Sequence, residues 1–299
     1  MSRPFFIGID GGATYCRARI RDMDGNLLGE GDGGPANIHS NLQLAKQSIR
    51  QACGGALRAA GLDEQSLKRA HVGLGLAGAG LKRTSERLMS ERTPFASVVL
   101  ETDAFVAWLG AHQGNDGAIV ILGTGSCGLA VINGQRIGVA GWGAVISDEA
   151  GGQRMGREAL RRALWAFDGR AEQSALSLAI LEQFGWDPTR IVSFASKATP
   201  AHFAELAPLV FQHASAQDDL AVSLVREASD AAVKIIDRLV DVGSPAICLV
   251  GGLAKPLMPW LPSPIRRLLS EPQSDPADGA ILMARRAFFK LDSVTLRAG

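Results

Sequence analysis

The chain has 299 residues, of which 46% are hydrophobic and 20% charged, a balance typical of globular domains that argues against intrinsic disorder. A net charge of +1, from 31 basic and 30 acidic residues, gives no basis for binding nucleic acid or an anionic membrane through charge. The four cysteines form no Cys-x-x-Cys pair, and no apolar stretch approaches the roughly 20 residues of a membrane span. We therefore expect a soluble cytoplasmic protein, long enough for two domains.

The first part of the chain alternates short apolar runs with helical patterns. Asp22 to Asn26 form a turn with an Asp-Gly hairpin signal, flanked by two apolar segments. Leu42, Ala45, Ile49, Ala52 and Ala56 follow at helical spacing. The predicted strands are Phe5–Ile9, Cys16–Arg21, Leu27–Glu30, Ala70–Leu76 and Ser97–Glu101, and the predicted helices run from Asn41 to near Gly61, from Lys82 to Glu91 and from Ala104 to Ala111.

The second part repeats this opening pattern of strands and then becomes helical. The predicted strands are Ala118–Leu122, Cys127–Asn133, Gln135–Val139 and Ala246–Val250, and the predicted helices are Gly152–Phe167, Ala171–Phe184, Pro188–Ala198, Asp218–Val240 and Asp278–Phe289. The repetition predicts an α/β fold with a duplicated mixed sheet. A polar glycine turn at residues 114–117 predicts a domain boundary, with an N-terminal lobe over 1–115 and a C-terminal lobe over 116–299, whose last helix packs back on the first lobe.

Two glycine-rich turns, each directly after a buried strand, are the most informative feature. The first is Gly8-Ile9-Asp10-Gly11-Gly12-Ala13-Thr14, and the second is Leu122-Gly123-Thr124-Gly125-Ser126. Glycine lets backbone N–H groups approach an anion, and Thr or Ser adds a hydroxyl donor. One such turn would be an ordinary hairpin, but two indicate that a nucleotide phosphate chain is held by both lobes.

Together with three further motifs, these turns resemble the actin-like ATPase and sugar kinase superfamily. The further motifs are Asp103-Ala104, Gly141-Trp142-Gly143 and Asp148-Glu149. Within the superfamily the chain is similar to the N-acetylglucosamine kinase branch and to the wider BadF/BadG-type ATPases. The resemblance implies a two-lobed, ribonuclease H-like fold with a cleft between the lobes, with ATP and Mg²⁺ as cofactors. It also implies a homodimer.

The resemblance assigns the first turn to the phosphates and the metal. Asp10 is similar to the carboxylate that holds Mg²⁺, commonly through water, and Gly11, Gly12, Ala13 and Thr14 would line the phosphates. Ala13 stands where the family usually has a third glycine, and we expect the turn to tolerate it. Gly123, Thr124 and Gly125 would form the second phosphate turn. An aspartate that only opens a turn is the alternative for Asp10.

Asp103 follows the predicted strand Ser97–Glu101, at the kind of strand end where α/β proteins collect catalytic groups. By resemblance it is the general base that accepts the proton of the attacking sugar hydroxyl. Its alternative is structural, because an Asp before Ala104, Phe105 and Val106 is a good helix N-cap.

The resemblance assigns the remaining motifs to the sugar and to adenosine. The implied sugar-binding residues, which include the base, are Asn37, Asp103, Ser126, Cys127, Gly141, Trp142, Gly143 and Asp148, and the implied adenosine-binding residues are Gly251, Gly252, Leu253 and Lys255. The structural alternatives are a turn for Asn37, a buried Trp in a tight turn for Trp142, a helix cap for Asp148 and a solvated side chain for Lys255.

The predicted function is ATP-dependent phosphorylation of the 6-hydroxyl of an amino sugar, N-acetylglucosamine first and glucosamine second. Two alternatives stay open, an ATPase or activator and a non-catalytic regulator that binds sugar and nucleotide. Retention of Asp103 argues against a regulator, since a sensor does not need a base.

Overall fold

A computed structural model describes residues 3–295 and divides the chain into two compact units. The first unit comprises the residues up to Asp116 together with those from Glu271 onward, and the second comprises Gly117–Ser270. The boundary predicted between residues 115 and 116 lies one residue from the end of the first segment. The C-terminal helix, which the prediction counted with the second lobe while packing it on the first, belongs to the first unit.

The first unit contains a five-stranded mixed sheet. Its strands are β1 (Phe5–Gly11), β2 (Cys16–Arg21), β3 (Leu27–Gly33), β4 (Ala70–Leu76) and β5 (Ser97–Glu101). They lie in the order β3-β2-β1-β4-β5. The first three form an antiparallel meander, and β4 and β5 extend the sheet parallel to β1. The carboxyl ends of β1, β4 and β5 therefore meet at one edge of this sheet.

The second unit repeats this arrangement strand for strand. Its strands are β6 (Gly117–Leu122), β7 (Ser126–Ile132), β8 (Gln135–Ala140), β9 (Ile247–Val250) and β10 (Leu269–Ser270). The order β10-β9-β6-β7-β8 again places an antiparallel meander beside two strands parallel to its first strand. The predicted α/β fold with a duplicated mixed sheet is confirmed.

Helices cover both sheets. They are α1 (Leu42–Ala59), α2 (Lys82–Met89), α3 (Asp103–His112), α4 (Gly152–Phe167), α5 (Ala175–Gln183), α6 (Pro188–Lys197), α7 (Pro200–Ala204), α8 (Ala207–Ser215), α9 (Asp219–Asp241), α10 (Ala254–Leu257), α11 (Ser263–Arg266) and α12 (Pro276–Thr295), with 3-10 turns at Glu64–Arg69 and Met258–Trp260. Among residues 3–295 no helix is long and apolar enough to cross a membrane.

In the first unit, α1 packs on β3 and β2, whereas α12 packs on β1, β4 and α3. The α1 contact is backbone against backbone, because a methyl group on Gly31 would lie 2.3 Å from the carbonyl oxygen of Ala52. A side chain at that strand position would push the helix away. In the second unit, β6, α4 and α9 supply much of the core, including the buried Val120, Leu160 and Ile236.

Most predicted elements match the observed ones within a few residues, but two predictions were wrong. The helix predicted over Ala171–Phe184 begins at Ala175, because Ser174 forms a capping box with Ser177 and ends the preceding extended segment. Residues 200–215 form α7 and α8, where the sequence predicted no helix. Each of these two helices is under ten residues, which leaves little periodicity to read.

Candidate active site

The turn after β1 is tied to the neighbouring loops through its carbonyl groups. Gly11 O accepts a hydrogen bond from Ala77 N at 2.8 Å, and Gly12 O accepts one from Ala36 N at 2.9 Å. Ala36 lies in the segment after β3 and Ala77 directly follows β4. The turn is therefore held in place from two directions before any ligand is considered.

Ala13 fits this turn without backbone strain. Residues 11–14 are absent from the positive-φ positions among the described residues, so nothing here requires the left-handed conformation that favours glycine. Gly12 N donates to Tyr15 O at 2.9 Å and closes the turn, which leaves Ala13 and Thr14 at its tip. The expectation that the turn tolerates alanine agrees with this geometry.

Asp10 is the last side chain of β1 before the turn, and its environment opposes ionisation. The pKa of Asp10 is raised from 3.8 to about 7, first by burial and then by the charge of Asp103, while the charge of Arg17 lowers it. Asp275 adds a smaller upward effect. Asp103, at the end of β5, thus lies close enough to act on the charge of Asp10 at the end of β1. A divalent cation would favour the ionised form of both.

Asp103 does not serve as the cap of α3. That role belongs to Thr102, whose Oγ1 accepts a hydrogen bond from Phe105 N at 3.1 Å. The Asp103 carboxylate accepts the N–H of the adjacent Ala104, at 2.9 Å, and burial raises its pKa while this N–H and the N–H of Asp103 itself lower it. The structural alternative for Asp103 is therefore wrong, and its presence at this strand end has no capping explanation.

Asn37 uses one end of its amide in the fold. Its Oδ1 accepts hydrogen bonds from His39 N at 3.0 Å and Ser40 N at 3.1 Å, the turn that the structural alternative anticipated. Neither bond uses Nδ2. The turn fixes the amide orientation, so both interpretations of Asn37 are compatible with the structure.

In the second unit, the turn of residues 123–125 is docked on the N-terminus of α4. Gly123 O accepts a hydrogen bond from Gly152 N at 2.8 Å, and Thr124 O accepts one from Gln153 N at 3.0 Å. A methyl group on Gly125 would lie 2.6 Å from a carboxylate oxygen of Asp148. The second candidate phosphate turn and the predicted sugar carboxylate are therefore direct neighbours.

Asp148 is held in an uncommon conformation, with φ at 63°, and it does not cap α4. The cap residue is Gly151, without a side-chain bond. The Asp148 carboxylate instead accepts hydrogen bonds from the backbone N–H groups of Ser126 and Gly143, which lower its pKa, while burial raises the pKa above its ordinary value. Left-handed non-glycine residues persist where surrounding contacts fix them, often at functional sites. The capping alternative for Asp148 is wrong.

The glycine-flanked Trp142 is exposed to 77% of its surface, so the alternative of a buried Trp in a tight turn is wrong. Gly141 and Gly143 both have positive φ, and a methyl group on Gly141 would touch Cys127 Cβ at 2.6 Å. Val145 and Ile146 are likewise exposed. Residues 141–146 thus expose large apolar side chains on a backbone in which two glycines have positive φ.

Ser126 and the residues after β9 serve the fold directly. Ser126 is buried, and its Oγ accepts a hydrogen bond from Ala150 N at 3.1 Å. Leu253 N donates to Leu122 O at 2.9 Å, which places the turn of Gly251 and Gly252 against the end of β6. Lys255 is exposed on α10, as the solvated alternative anticipated.

The structure thus groups the predicted residues within each unit. The first unit brings Asp10 and Asp103 together, and the second brings Gly125, Ser126, Gly143 and Asp148 together. Among the described residues no group of three or more His, Cys, Asp or Glu side chains is placed to hold a metal. Two carboxylates with hard oxygens nevertheless fit Mg²⁺, which keeps several waters and shares its shell with phosphates.

Sequence reasoning missed the backbone donors Ala36, Ala77, Gly152 and Gln153, because a main-chain N–H carries no residue-type signal. It also passed over Arg17, the cation nearest in register to Asp10. The alternation of Arg17, Arg19 and Arg21 along β2 was the available signal, since residues two apart on a strand share a face.

The chain matches known proteins over nearly its whole length. A model of the BadF/BadG/BcrA/BcrD ATPase family matches residues 7–284. Glucosamine kinase GspK of Vibrio cholerae is 37% identical over 280 residues, covering 94% of this chain and 95% of that protein. An N-acetylmuramic acid/N-acetylglucosamine kinase of Clostridium acetobutylicum is 32% identical over 183 residues, covering 60% of this chain and 59% of that protein.

Among solved structures, a Chromobacterium violaceum protein described as a candidate N-acetylglucosamine kinase has a TM-score of 0.88 and 36% identity, covering 95% of this chain and 100% of that one. The resemblance stated from the sequence motifs is confirmed by these matches.

We expect Asp10→Asn to stabilise the unliganded protein at pH 8. Because the folded state binds a proton up to about pH 7 that the unfolded state releases near its ordinary pKa, wild-type stability falls between about pH 4 and pH 7. Asparagine has no carboxyl group to ionise, so it does not cause this pH-dependent loss of stability. The measurement is the Tm of both proteins in EDTA, where the variant should melt several degrees higher at pH 8 and by a much smaller margin at pH 4.5. Equal differences at both pH values would contradict the assignment.

We expect Asp148→Ala to loosen residues 141–147, because two backbone N–H groups lose their acceptor. Limited chymotrypsin digestion, with cleavage after Trp142 followed by mass spectrometry, should proceed at least several-fold faster than in wild type. Asp148→Asn keeps an acceptor oxygen and tolerates the backbone conformation, so it should stay close to wild type. Glu172→Ala, which removes an exposed carboxylate outside this segment, is the control. Cleavage of Asp148→Ala at the wild-type rate would show that the Asp148 carboxylate does not hold residues 141–147 in place.

Proposed function

Because the chain belongs to the BadF/BadG/BcrA/BcrD ATPase family, we propose that it transfers the γ-phosphate of ATP to the 6-hydroxyl of N-acetylglucosamine or glucosamine, with Asp103 as general base. It is a phosphotransferase of the amino-sugar kinase type, in line with relatives of that kind along nearly its whole length. The acceptor hydroxyl, the base and the residue roles are the parts that we propose.

The observation that carries the proposal is Asp103 itself. It follows β5 directly and Thr102, not Asp103, caps α3, so the Asp103 carboxylate is bonded to local backbone N–H groups of Ala104 and of Asp103 itself. Its raised pKa makes it a stronger proton acceptor than an exposed aspartate. As the sugar O6 forms a bond to the γ-phosphorus, the hydroxyl proton passes to Asp103, and the bond between the γ-phosphorus and the bridging oxygen breaks to release ADP.

We assign the phosphates of ATP to the two glycine turns, Gly11 to Thr14 and Gly123 to Gly125. Each follows a buried strand and is fixed by backbone hydrogen bonds, so little order is lost when an anion binds. We assign adenosine to Gly251, Gly252, Leu253 and Lys255, which follow the next strand of the second sheet.

We assign Mg²⁺ to Asp10, through water, with the phosphates supplying further oxygens. When bound, the ion neutralises charge that develops on the transferring phosphoryl group. Ionised Asp10 is costly without a cation, since its pKa lies near 7. Metal loading would therefore lower that pKa and oppose the repulsion between Asp10 and Asp103.

We assign the sugar to Asn37 and Asp103 in the first unit and to Ser126, Cys127, Gly141, Trp142, Gly143 and Asp148 in the second. The Asn37 amide is pre-oriented by its turn. The exposed Trp142 offers a flat apolar face to a pyranose ring. One relative is described as a kinase of a free amino sugar and another as a kinase of an acetylated one. The two candidate acceptors therefore differ by a single acetyl group.

We also propose a cytoplasmic homodimer. None of the four cysteines is in a disulfide, and burial raises the pKa of Cys16 and Cys53 to about 12, which is compatible with a reducing compartment. The dimer is inferred from the family resemblance, and light scattering of the purified chain tests it directly.

We expect Asp103→Asn to lower kcat by at least about 100-fold, because a positioned base typically contributes that much, while the Kd for the sugar changes only a few-fold. Steady-state ADP release and calorimetric sugar binding measure the two quantities, and ³¹P NMR identifies the phosphorylated hydroxyl. Asp63→Asn, which removes a carboxylate that caps a remote 3-10 turn, is the control. Turnover within tenfold of wild type would rule out Asp103 as the base.

A further inference from the structure

Three arginines share one face of β2. Arg17, Arg19 and Arg21 alternate along the strand, and in the antiparallel register they lie opposite Asp10, Gly8 and Phe6 of β1. Arg17 is the one next to the turn, directly across from the residue that we assign to Mg²⁺. Cross-strand partners in register have side chains on the same face of the sheet.

Two of the three guanidinium groups are fully engaged in the fold. Arg19 donates to both carboxylate oxygens of Asp275 at 2.7 Å and to Glu30 at 2.7 Å. Arg21 donates to both oxygens of Asp278, at 2.7 Å and 3.0 Å, and to Gly25 O at 2.9 Å. These bidentate pairs hold the N-terminus of α12 against β2, so Arg19 and Arg21 stabilise the fold.

Arg17 differs from both. Its ion pairs are long, 3.8 Å to Asp32 and 3.6 Å to Asp275, and neither distance is a hydrogen bond. Asp32 has 82% of its side chain exposed. Asp275 is already occupied, because it accepts two bonds from Arg19 and one from Asp278 N at the start of α12. Arg17 therefore keeps its donors available, with 42% of its side chain exposed.

The carboxylates around Arg17 create negative charge that a bound anion would have to overcome. Asp103 and Asp275 are both close enough to act electrostatically on Asp10, and Arg17 is the cation that opposes them there. A polyphosphate that approached three carboxylates would be repelled unless cations stood between them. A guanidinium fork matches two phosphate oxygens at once and stays charged at every relevant pH.

We propose that Arg17 binds the terminal phosphates of ATP, as a residue of the nucleotide site that stands opposite Asp10. The inference rests on the proposed function, since it takes the turn after β1 to hold the nucleotide phosphates. It adds a side-chain cation to a turn that otherwise offers backbone groups and the Thr14 hydroxyl. It also distinguishes Arg17 from Arg19 and Arg21, which share its strand, face and charge.

The experiment is calorimetric titration of the full-length protein with ATP, ADP and AMP in the presence of Mg²⁺ and without sugar. Arg17→Gln should weaken ATP binding by about 10- to 100-fold, the range for a lost hydrogen bond to a charged group, and leave AMP binding unchanged. Arg17→Lys keeps the charge and should recover part of the loss. Arg21→Gln is the matched control, which should lower the Tm and leave ATP affinity within twofold.

ATP affinity in Arg17→Gln within twofold of wild type would overturn the proposal, and so would an equal loss for AMP. A loss of similar size in Arg21→Gln would also overturn it, by showing a general charge effect. Sugar-dependent ADP release in wild type is measured separately. If wild type binds ATP without phosphorylating any sugar, the proposed kinase activity fails while the Arg17 result still stands.

Discussion

The main physical constraint on the candidate site of the first unit is the unfavourable free energy of burying acidic side chains near one another at the carboxyl end of β1. Asp10 is buried there, with Asp103 and Asp275 near enough to raise its pKa, and Arg17 opposes them. Burial of an unpaired carboxylate is unfavourable unless charge or hydrogen bonds compensate. The unit compensates Asp275 fully through Arg19 but leaves Asp10 and Asp103 without such partners. This difference agrees with the roles that we propose, in which Asp10 holds a cation and Asp103 accepts a proton.

The second unit repeats the sheet but uses backbone groups where the first uses side-chain charge. Its turn is fixed by the N-terminus of α4, and the Asp148 carboxylate receives the N–H groups of Ser126 and Gly143. The two units therefore share a strand order but present different chemical groups. The first unit presents carboxylates and the partly exposed guanidinium of Arg17, and the second presents a rigid turn beside the exposed Trp142. A kinase that must hold both an anion and a sugar needs both kinds of surface.

Regular elements were readable from the sequence where hydrophobic runs were bounded by turn residues. Strands Cys16–Arg21, Ala70–Leu76 and Ser97–Glu101 and helix Gly152–Phe167 have the predicted bounds. The helices of residues 200–215 were missed because each is too short to show a period. At the candidate site, residue type predicted roles for Asp10 and Asp103, but it could not show that Thr102 caps α3 or that Gly151 caps α4. Arg17 did not stand out in the sequence, because it differs from Arg19 and Arg21 only in the carboxylates that they bind, and those contacts are visible only in the structure.

The most direct test of the central claim is coupled ADP release by the purified protein with Mg-ATP. The acceptors compared are N-acetylglucosamine, glucosamine, N-acetylmannosamine, N-acetylmuramic acid and glucose, beside a control without sugar. We predict strong ADP release with N-acetylglucosamine or glucosamine and little without sugar, because the proposed phosphoryl transfer needs a sugar hydroxyl as its acceptor. Steady ADP release that no sugar changes would contradict the assignment of an amino-sugar kinase and would identify an ATPase instead.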